Sequence, residues 1–151
     1  MSIKFISGFP GIGKTMYKEK YAGKKRNYDF KVSDSDSSKF SWMREWIRDY
    51  RFPQNYIDHL LKIEEDYDYV FVSSHKEVRQ ALVDNGIFFV LVIPHLSLKQ
   101  EYLKRYKKRG SSPEFIDMMD KNWEKFILDC EAQTNCTLYE LESGQFLTDI
   151  F

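Results

Sequence analysis

The chain has little of what marks several large protein classes. Of 151 residues only two are cysteine, Cys130 and Cys136. They lack C-x-x-C or related spacing, which gives no reason to expect zinc or a disulfide framework, and both read as reduced thiols. No apolar run approaches the ~20 residues a membrane helix needs. Neither sign of charge prevails: 23 Lys and Arg balance 23 Asp and Glu. That balance removes the general attraction on which nucleic-acid and membrane-surface binders rely, so a polynucleotide partner is not expected. Seven glycines and four prolines gather into no linker, and there is no internal repeat or low-complexity tract. No leader is legible ahead of the apolar residues 3–7, so a cytoplasmic location is expected. What is present suits one compact domain with a real core, since 42% of residues are hydrophobic and 17% aromatic.

Strand and helix signals alternate along the chain, which predicts a parallel sheet covered by helices. Strands are expected at 3–7, 28–32, 69–72, 87–93 and 137–141, the third and fourth being continuous apolar runs of the buried parallel kind. Residues 40 to about 65 read as a helical insert, broken near Pro53 and carrying Trp42, Trp46, Tyr50 and Tyr56. Ser74 with Glu77, and Ser97 with Gln100, have capping-box spacing. Gly86 and Gly110 read as helix stops, and Ser112-Pro113 as a helix start. Met118, Met119 and Trp123 read as a core stripe.

The strongest signal is Gly8-Phe9-Pro10-Gly11-Ile12-Gly13-Lys14-Thr15, which fits G-x-x-x-x-G-K-[ST] without mismatch. Glycines let the backbone turn tightly and bring N–H groups close to phosphate oxygens. The helix starting at about Gly13 adds its positive end, Lys14 supplies a charge for the terminal phosphates, and the Thr15 hydroxyl is a ligand for Mg²⁺. Gly8, Pro10, Gly11, Ile12, Gly13, Lys14 and Thr15 are therefore the expected ATP-binding residues. Motor and switch NTPases usually follow their third strand with a carboxylate that helps hold Mg²⁺. Here that strand runs into Ser73-Ser74-His75. This, with the short chain, favours a small-molecule kinase.

The sequence resembles the nucleoside monophosphate kinase-like P-loop kinases, above all the compact deoxynucleoside monophosphate kinases of phages and their Gram-positive hosts. The residues that carry the likeness are the phosphate loop, Val32-Ser33-Asp34-Ser35-Asp36-Ser37, the stretch from Tyr69 to Arg79, and Tyr102-Leu103-Lys104-Arg105-Tyr106-Lys107-Lys108-Arg109-Gly110. The resemblance implies a P-loop three-layer αβα sandwich with a five-stranded parallel sheet in the order 2-3-1-4-5. It also implies a helical substrate-binding insert at about 38–65 and an Arg-bearing lid at about 105–114. The chain departs from adenylate kinases in lacking Asp-Gly after the third strand and in having room only for a short lid.

Asp34 and Asp36 follow the second strand on the edge where ligands bind in such folds. Asp34 is expected to orient the acceptor and Asp36 to help Thr15 with Mg²⁺; capping or a solvated loop is the alternative. Arg105 and Arg109 share a helix face and are expected, with Lys14, to stabilise the transferring phosphoryl group. An ordinary basic helix end is the alternative. Arg79 is expected to meet the acceptor phosphate, or else to pair with Glu77 or Asp84 on the surface. His75 is a candidate acceptor contact or a helix-start histidine. Phe40 and Trp42 are candidates for base stacking, with core packing as the alternative. His59 and His95 read as structural.

The expected reaction is Mg²⁺- and ATP-dependent phosphorylation of a (deoxy)nucleoside monophosphate. Two alternatives stay open: a kinase of a hydroxyl acceptor with Asp34 as base, and a nucleotide-binding regulatory module without transfer activity. Monomer and homodimer are both compatible with the sequence.

Overall fold

The computed structural model describes residues 4–21, 30–34, 42–44 and 47–151, with residues 42–44 and 47–48 in their backbone only. The main sheet contains β1 (Phe5–Gly8), β2 (Val32–Asp34), β5 (Tyr69–Ser73), β6 (Phe89–Pro94) and β7 (Thr137–Leu141). Its order is β2-β5-β1-β6-β7 and every pairing is parallel. Counted by sheet strands alone this is the expected 2-3-1-4-5 arrangement. Central β1 pairs Gly8 with Ser73 on one side and with Val92 on the other. The strand order reverses at β1, and in open α/β sheets that switch point is where a ligand crevice opens beyond the carboxyl ends.

Hydrophobic sequence explains the layers. Every residue of β1 and β6 is buried, as expected for strands covered on both faces. Helix α1 (Lys14–Tyr21) leaves β1 through the Gly-rich loop. Helix α2 (Gln54–Ile63) buries Tyr56, Ile57 and Leu60, and α3 (Lys76–Asp84) buries Val78, Ala81 and Leu82. Helix α4 (Lys99–Lys108) buries Tyr102 and Tyr106, one turn apart. In α5 (Pro113–Glu131) the buried stripe is Met119, Trp123, Ile127 and Cys130, at the spacing of one helix face. Met118 is exposed, against expectation, because it lies about 100° around the helix from Met119.

The helical insert is corrected in part. Among the described residues, Trp42–Arg44 (β3) pairs antiparallel with Ile47–Arg48 (β4), and the helix of this stretch runs from Gln54, after Pro53. Aromatic and β-branched residues such as Trp42 and Ile47 suit a strand pair, and a proline is tolerated where a helix begins. Two capping expectations also fail. His75, not Ser74, precedes α3, with no side-chain cap bond. His95 accepts from Ser97 N ahead of a short 3₁₀ turn, Leu96–Leu98, and α4 starts after it. Ser112 does cap α5, accepting from Phe115 N at 3.1 Å. The expected turns at Gly86 and Gly110 have positive φ of 68° and 84°. After β7 the chain returns to α1, and a 3₁₀ turn, Leu147–Asp149, buries Leu147.

Candidate functional site

The Gly-rich loop lies between buried anchors. Phe9 and Ile12, two of its variable positions, are core residues, and Phe9 meets Trp123 edge-on with ring centres 5.4 Å apart. Between these anchors Gly11 and Gly13 take φ of 88° and 97°, where a side chain would be strained. A Cβ on Gly11 would also lie 2.9 Å from the Tyr106 ring.

The carbonyls of the loop are all engaged by neighbouring groups. Gly8 O accepts from Lys14 Nζ at 3.0 Å. Phe9 O accepts from Ile12 N at 3.4 Å. Pro10 O accepts from Tyr106 Oη at 2.8 Å, and Gly11 O from Arg105 Nη1 at 2.9 Å. Ile12 O accepts from Leu147 N, and Gly13 O from Tyr17 N, both at 2.9 Å. In a planar trans peptide the carbonyl and the following N–H point to opposite sides. Tyr106 on Pro10 O therefore turns the Gly11 N–H away from α4, and Leu147 on Ile12 O turns the Gly13 N–H away from the chain terminus. The Tyr17–Gly13 bond is the first of α1, so the first-turn amides of Lys14, Thr15 and Met16 project from the helix end. By this geometry the Gly11, Gly13 and first-turn N–H groups lie on the side opposite these supports, at the positive end of a helix, and Lys14 Nζ reaches back to Gly8 O. This is a geometry for binding an anion.

Thr15 and Asp34 meet at the rim. Thr15 Oγ1 stands 3.5 Å from Asp34 Oδ2, long for a hydrogen bond, and both side chains are exposed. They are hard oxygen donors of the kind that hold Mg²⁺. Among the described residues no group of three or more His, Cys, Asp or Glu side chains gathers around a metal position. Mg²⁺ bound with a nucleotide needs none, because it takes one or two protein oxygens and completes its shell with phosphates and water. The pair therefore fits the ion. Asp36 and Phe40 lie outside the described residues, as does Trp46, and Trp42 is described only as part of β3.

The expected lid arginines divide. The Arg105 guanidinium lies between the Tyr102 and Phe146 rings, 4.2 and 3.9 Å from their centres. Besides Gly11 O it donates to Glu101 Oε2 at 3.0 Å and Gln145 O at 3.2 Å. It is part of the loop's support. Arg109 is exposed in the turn after α4, and its Nε donates to Ser111 Oγ at 2.9 Å. Its guanidinium carbon lies 4.9 and 5.5 Å from the centres of the Tyr106 and Phe115 rings.

Arg79 is not where an acceptor phosphate needs it. It is buried, with Nε donating to Ser74 O, Nη1 to Gln133 Oε1 at 2.7 Å, and Nη2 to Asp129 Oδ2 at 2.6 Å. The expectation of a substrate contact fails because its position on α3 faces α5. Neither of the surface partners considered for it, Glu77 and Asp84, is the one observed. Burial alone would raise the Asp129 carboxyl, but the hydrogen bond and charge of Arg79, with the charge of Lys76, hold it below its ordinary range. His75 is exposed just beyond the carboxyl end of β5, where α3 begins.

Tyr102, Tyr106, Glu101, Gln145 and Leu147 are site residues that sequence reasoning missed. The i, i+4 tyrosines flanking Arg105 were legible as a buried helix face, and the motif alone could not say that this face grips the loop. Tyr106 Oη has its carbonyl partner. Tyr102 Oη is buried with no hydrogen-bond partner among the described residues, and burial pushes its pKa up to about 12.

The chain matches no protein-family model and no curated protein.

Proposed function

We propose that the protein binds the phosphates of Mg²⁺·ATP in the loop Gly8–Thr15 and transfers the terminal phosphoryl group to a (deoxy)nucleoside monophosphate. The observation that supports the reading is the row of engaged carbonyls from Gly8 to Gly13, whose peptide planes turn the Gly11 and Gly13 N–H groups away from the supporting side chains and chain terminus. In this reading the amides of Gly11, Gly13 and the first turn of α1 hold the β- and γ-phosphates. Lys14 leaves Gly8 O and follows the charge on the terminal phosphate. Thr15 and Asp34 hold Mg²⁺, which supplies charge neutralisation on the phosphate oxygens. Arg109, exposed in the turn after α4, would leave the Tyr106 and Phe115 rings to close over them. Such transfer depends on positioning and charge neutralisation, and a monophosphate acceptor is already an anion, so no strong base is required. The likeness to compact phage-type deoxynucleoside monophosphate kinases supports the same acceptor class.

A hydroxyl-acceptor kinase is the second reading. One observation favours it: Arg79, the cation expected to meet an acceptor phosphate, is committed to Asp129 and Gln133. Asp34, exposed at the strand end, would then serve as the base. The test is incubation with Mg²⁺·ATP and panels of ribo- and deoxyribonucleoside monophosphates, nucleosides and a 5′-hydroxyl oligonucleotide, with products resolved by ion exchange. A new diphosphate is the expected product. Phosphate arriving only on a hydroxyl acceptor would replace the first reading with the second, and ATP binding without transfer to anything would reduce the protein to a nucleotide-binding module.

A further inference from the structure

We propose that Arg105 is a positioning residue that sets the shape of the phosphate loop, and that Glu101 fixes Arg105 in that role. The inference rests on the phosphate-loop reading but assigns Arg105 a different task from the phosphoryl contact expected of a lid arginine. Three observations carry it.

The first is the use of the guanidinium's donors. Nη1 goes to Gly11 O at 2.9 Å, and Nη2 is shared between Glu101 Oε2 at 3.0 Å and Gln145 O at 3.2 Å. Two of these three acceptors are backbone carbonyls, one in the phosphate loop and one in the segment after β7.

The second is confinement. The planar group is sandwiched between Tyr102 and Phe146, 4.2 and 3.9 Å from the ring centres, and its side chain is 14% exposed. A swing toward a phosphate would give up two stacking faces and three hydrogen bonds together. Phe146 also bears on Gly13, where an added Cβ would lie 3.0 Å from its ring. The sandwich thus touches both left-handed glycines of the loop, Gly11 through Arg105 and Gly13 through Phe146.

The third is the anchoring of Glu101. Its carboxylate accepts from Arg105, from Ser143 Oγ and from Gly144 N. Ser143 and Gly144 precede Gln145 and Phe146, so one carboxylate ties α4 to the segment that supplies the second half of the sandwich. Leu147 N, the next amide along, bonds Ile12 O. Glu101, Arg105 and residues 143–147 therefore form one bracket around the loop. Its action is on the peptide planes: Arg105 on Gly11 O fixes the Gly11–Ile12 plane, which joins the two planes that carry the Gly11 and Gly13 N–H groups and are held by Tyr106 and Leu147, so the turn between those amides is held before any ligand arrives. Such preorganisation raises affinity by lowering the ordering cost of binding.

Two variants test this, Arg105→Lys, which keeps a charge but loses the fork and the stacking plane, and Glu101→Gln, which keeps the shape and removes the anchoring charge. Three readouts are taken on the full chain: amide hydrogen exchange of residues 11–16 without ligand, the Kd for Mg²⁺·ATP, and turnover at saturating ATP with the best acceptor. Arg105→Lys is expected to speed exchange across 11–16 and to raise Kd roughly tenfold or more, since hydrogen bonds to charged groups are worth at least that. Turnover at saturation should fall far less. Glu101→Gln should move exchange and Kd in the same direction by about threefold, as expected for a partly exposed pair. A Kd and an exchange pattern like wild type, with turnover collapsed, would overturn the proposal and return Arg105 to the phosphoryl group. A raised Kd with unchanged exchange would overturn it too, by making Arg105 a direct ligand contact. Should Arg105→Lys fail to fold, Glu101→Gln decides by the same criteria. Failure of the wild type to bind Mg²⁺·ATP would sink the phosphate-loop reading, whereas the ligand-free exchange would still show whether the bracket shapes the loop.

Discussion

On the loop side of the sheet's carboxyl edge, Lys14 donates back to Gly8 O and Arg105 braces the loop backbone at Gly11 O. On the β5–α3 side, Arg79 turns its guanidinium inward to Ser74, Gln133 and Asp129. The two arginines are both sequestered, with opposite consequences. Arg105 places donors on Gly11 O, in the Gly-rich loop proposed to bind the triphosphate, and on Gln145 O, so its loss should be felt as ligand affinity. Arg79 spends its donors on joining α3 to α5, so its loss should be felt as stability. A basic residue near a sheet edge is a functional candidate only once its donors have been traced.

The sharpest way to break this contrast is Arg79→Ala. Truncating a buried, fully bonded arginine is expected to cost about 3 kcal/mol and to lower Tm markedly, whether or not nucleotide is present. Thermal unfolding followed by circular dichroism checks it. A variant that melts like wild type but loses turnover would put Arg79 back at an acceptor. Next in size is Gly11→Ala, which forces a Cβ into a left-handed residue facing the Tyr106 ring at 2.9 Å. A loss of about 1–2 kcal/mol in stability is expected from the backbone alone, together with a weakened Mg²⁺·ATP affinity by titration calorimetry.

Smaller still is the pair Tyr106→Phe and Tyr102→Phe. Tyr106 gives up its bond to Pro10 O and should lose about 1 kcal/mol. Tyr102 gives up a buried hydroxyl that has no hydrogen-bond partner among the described residues and should be neutral or slightly stabilised. Equal losses in chemical denaturation would contradict the assignment of one hydroxyl to the loop. The mildest effect is on acid stability. Hydrogen bonds from Ser143 and Gly144, with help from Arg105 and against burial, hold the Glu101 carboxyl below its ordinary range, and Arg79 and Lys76 outweigh burial in doing the same for Asp129. Both folded values are depressed, so the stability they give is present above the unfolded value of about 4 and is lost as pH falls through the folded values. Tm measured from pH 6 down to pH 2 should fall less steeply in Glu101→Gln than in wild type.

Whereas the order of the sheet came only from the family resemblance, the alternation of strands and helices and the place of the Gly-rich turn between β1 and α1 were legible, because period, buried runs and glycine spacing are local signals. The strand 137–141 came out with its observed bounds for the same reason. The pairing of Trp42–Arg44 with Ile47–Arg48 was not legible, since a short aromatic stretch satisfies a helical period as well as a strand pair. The inward turn of Arg79 was hidden because its partners Asp129 and Gln133 are fifty residues or more away in sequence. The bracket on the loop was hidden for a similar reason: Glu101 and Arg105 are a visible i, i+4 pair, whereas Gly11 and residues 143–147 join them only through the sheet.

The most direct measurement is calorimetric titration of Mg²⁺·ATP into the wild-type protein and into Lys14→Ala, with both shown to be folded by their melting curves. Saturable one-to-one binding by the wild type, weakened at least tenfold in Lys14→Ala at similar Tm, is the predicted result. No binding by the folded wild type, or equal binding by both proteins, would contradict the assignment of the loop to the triphosphate.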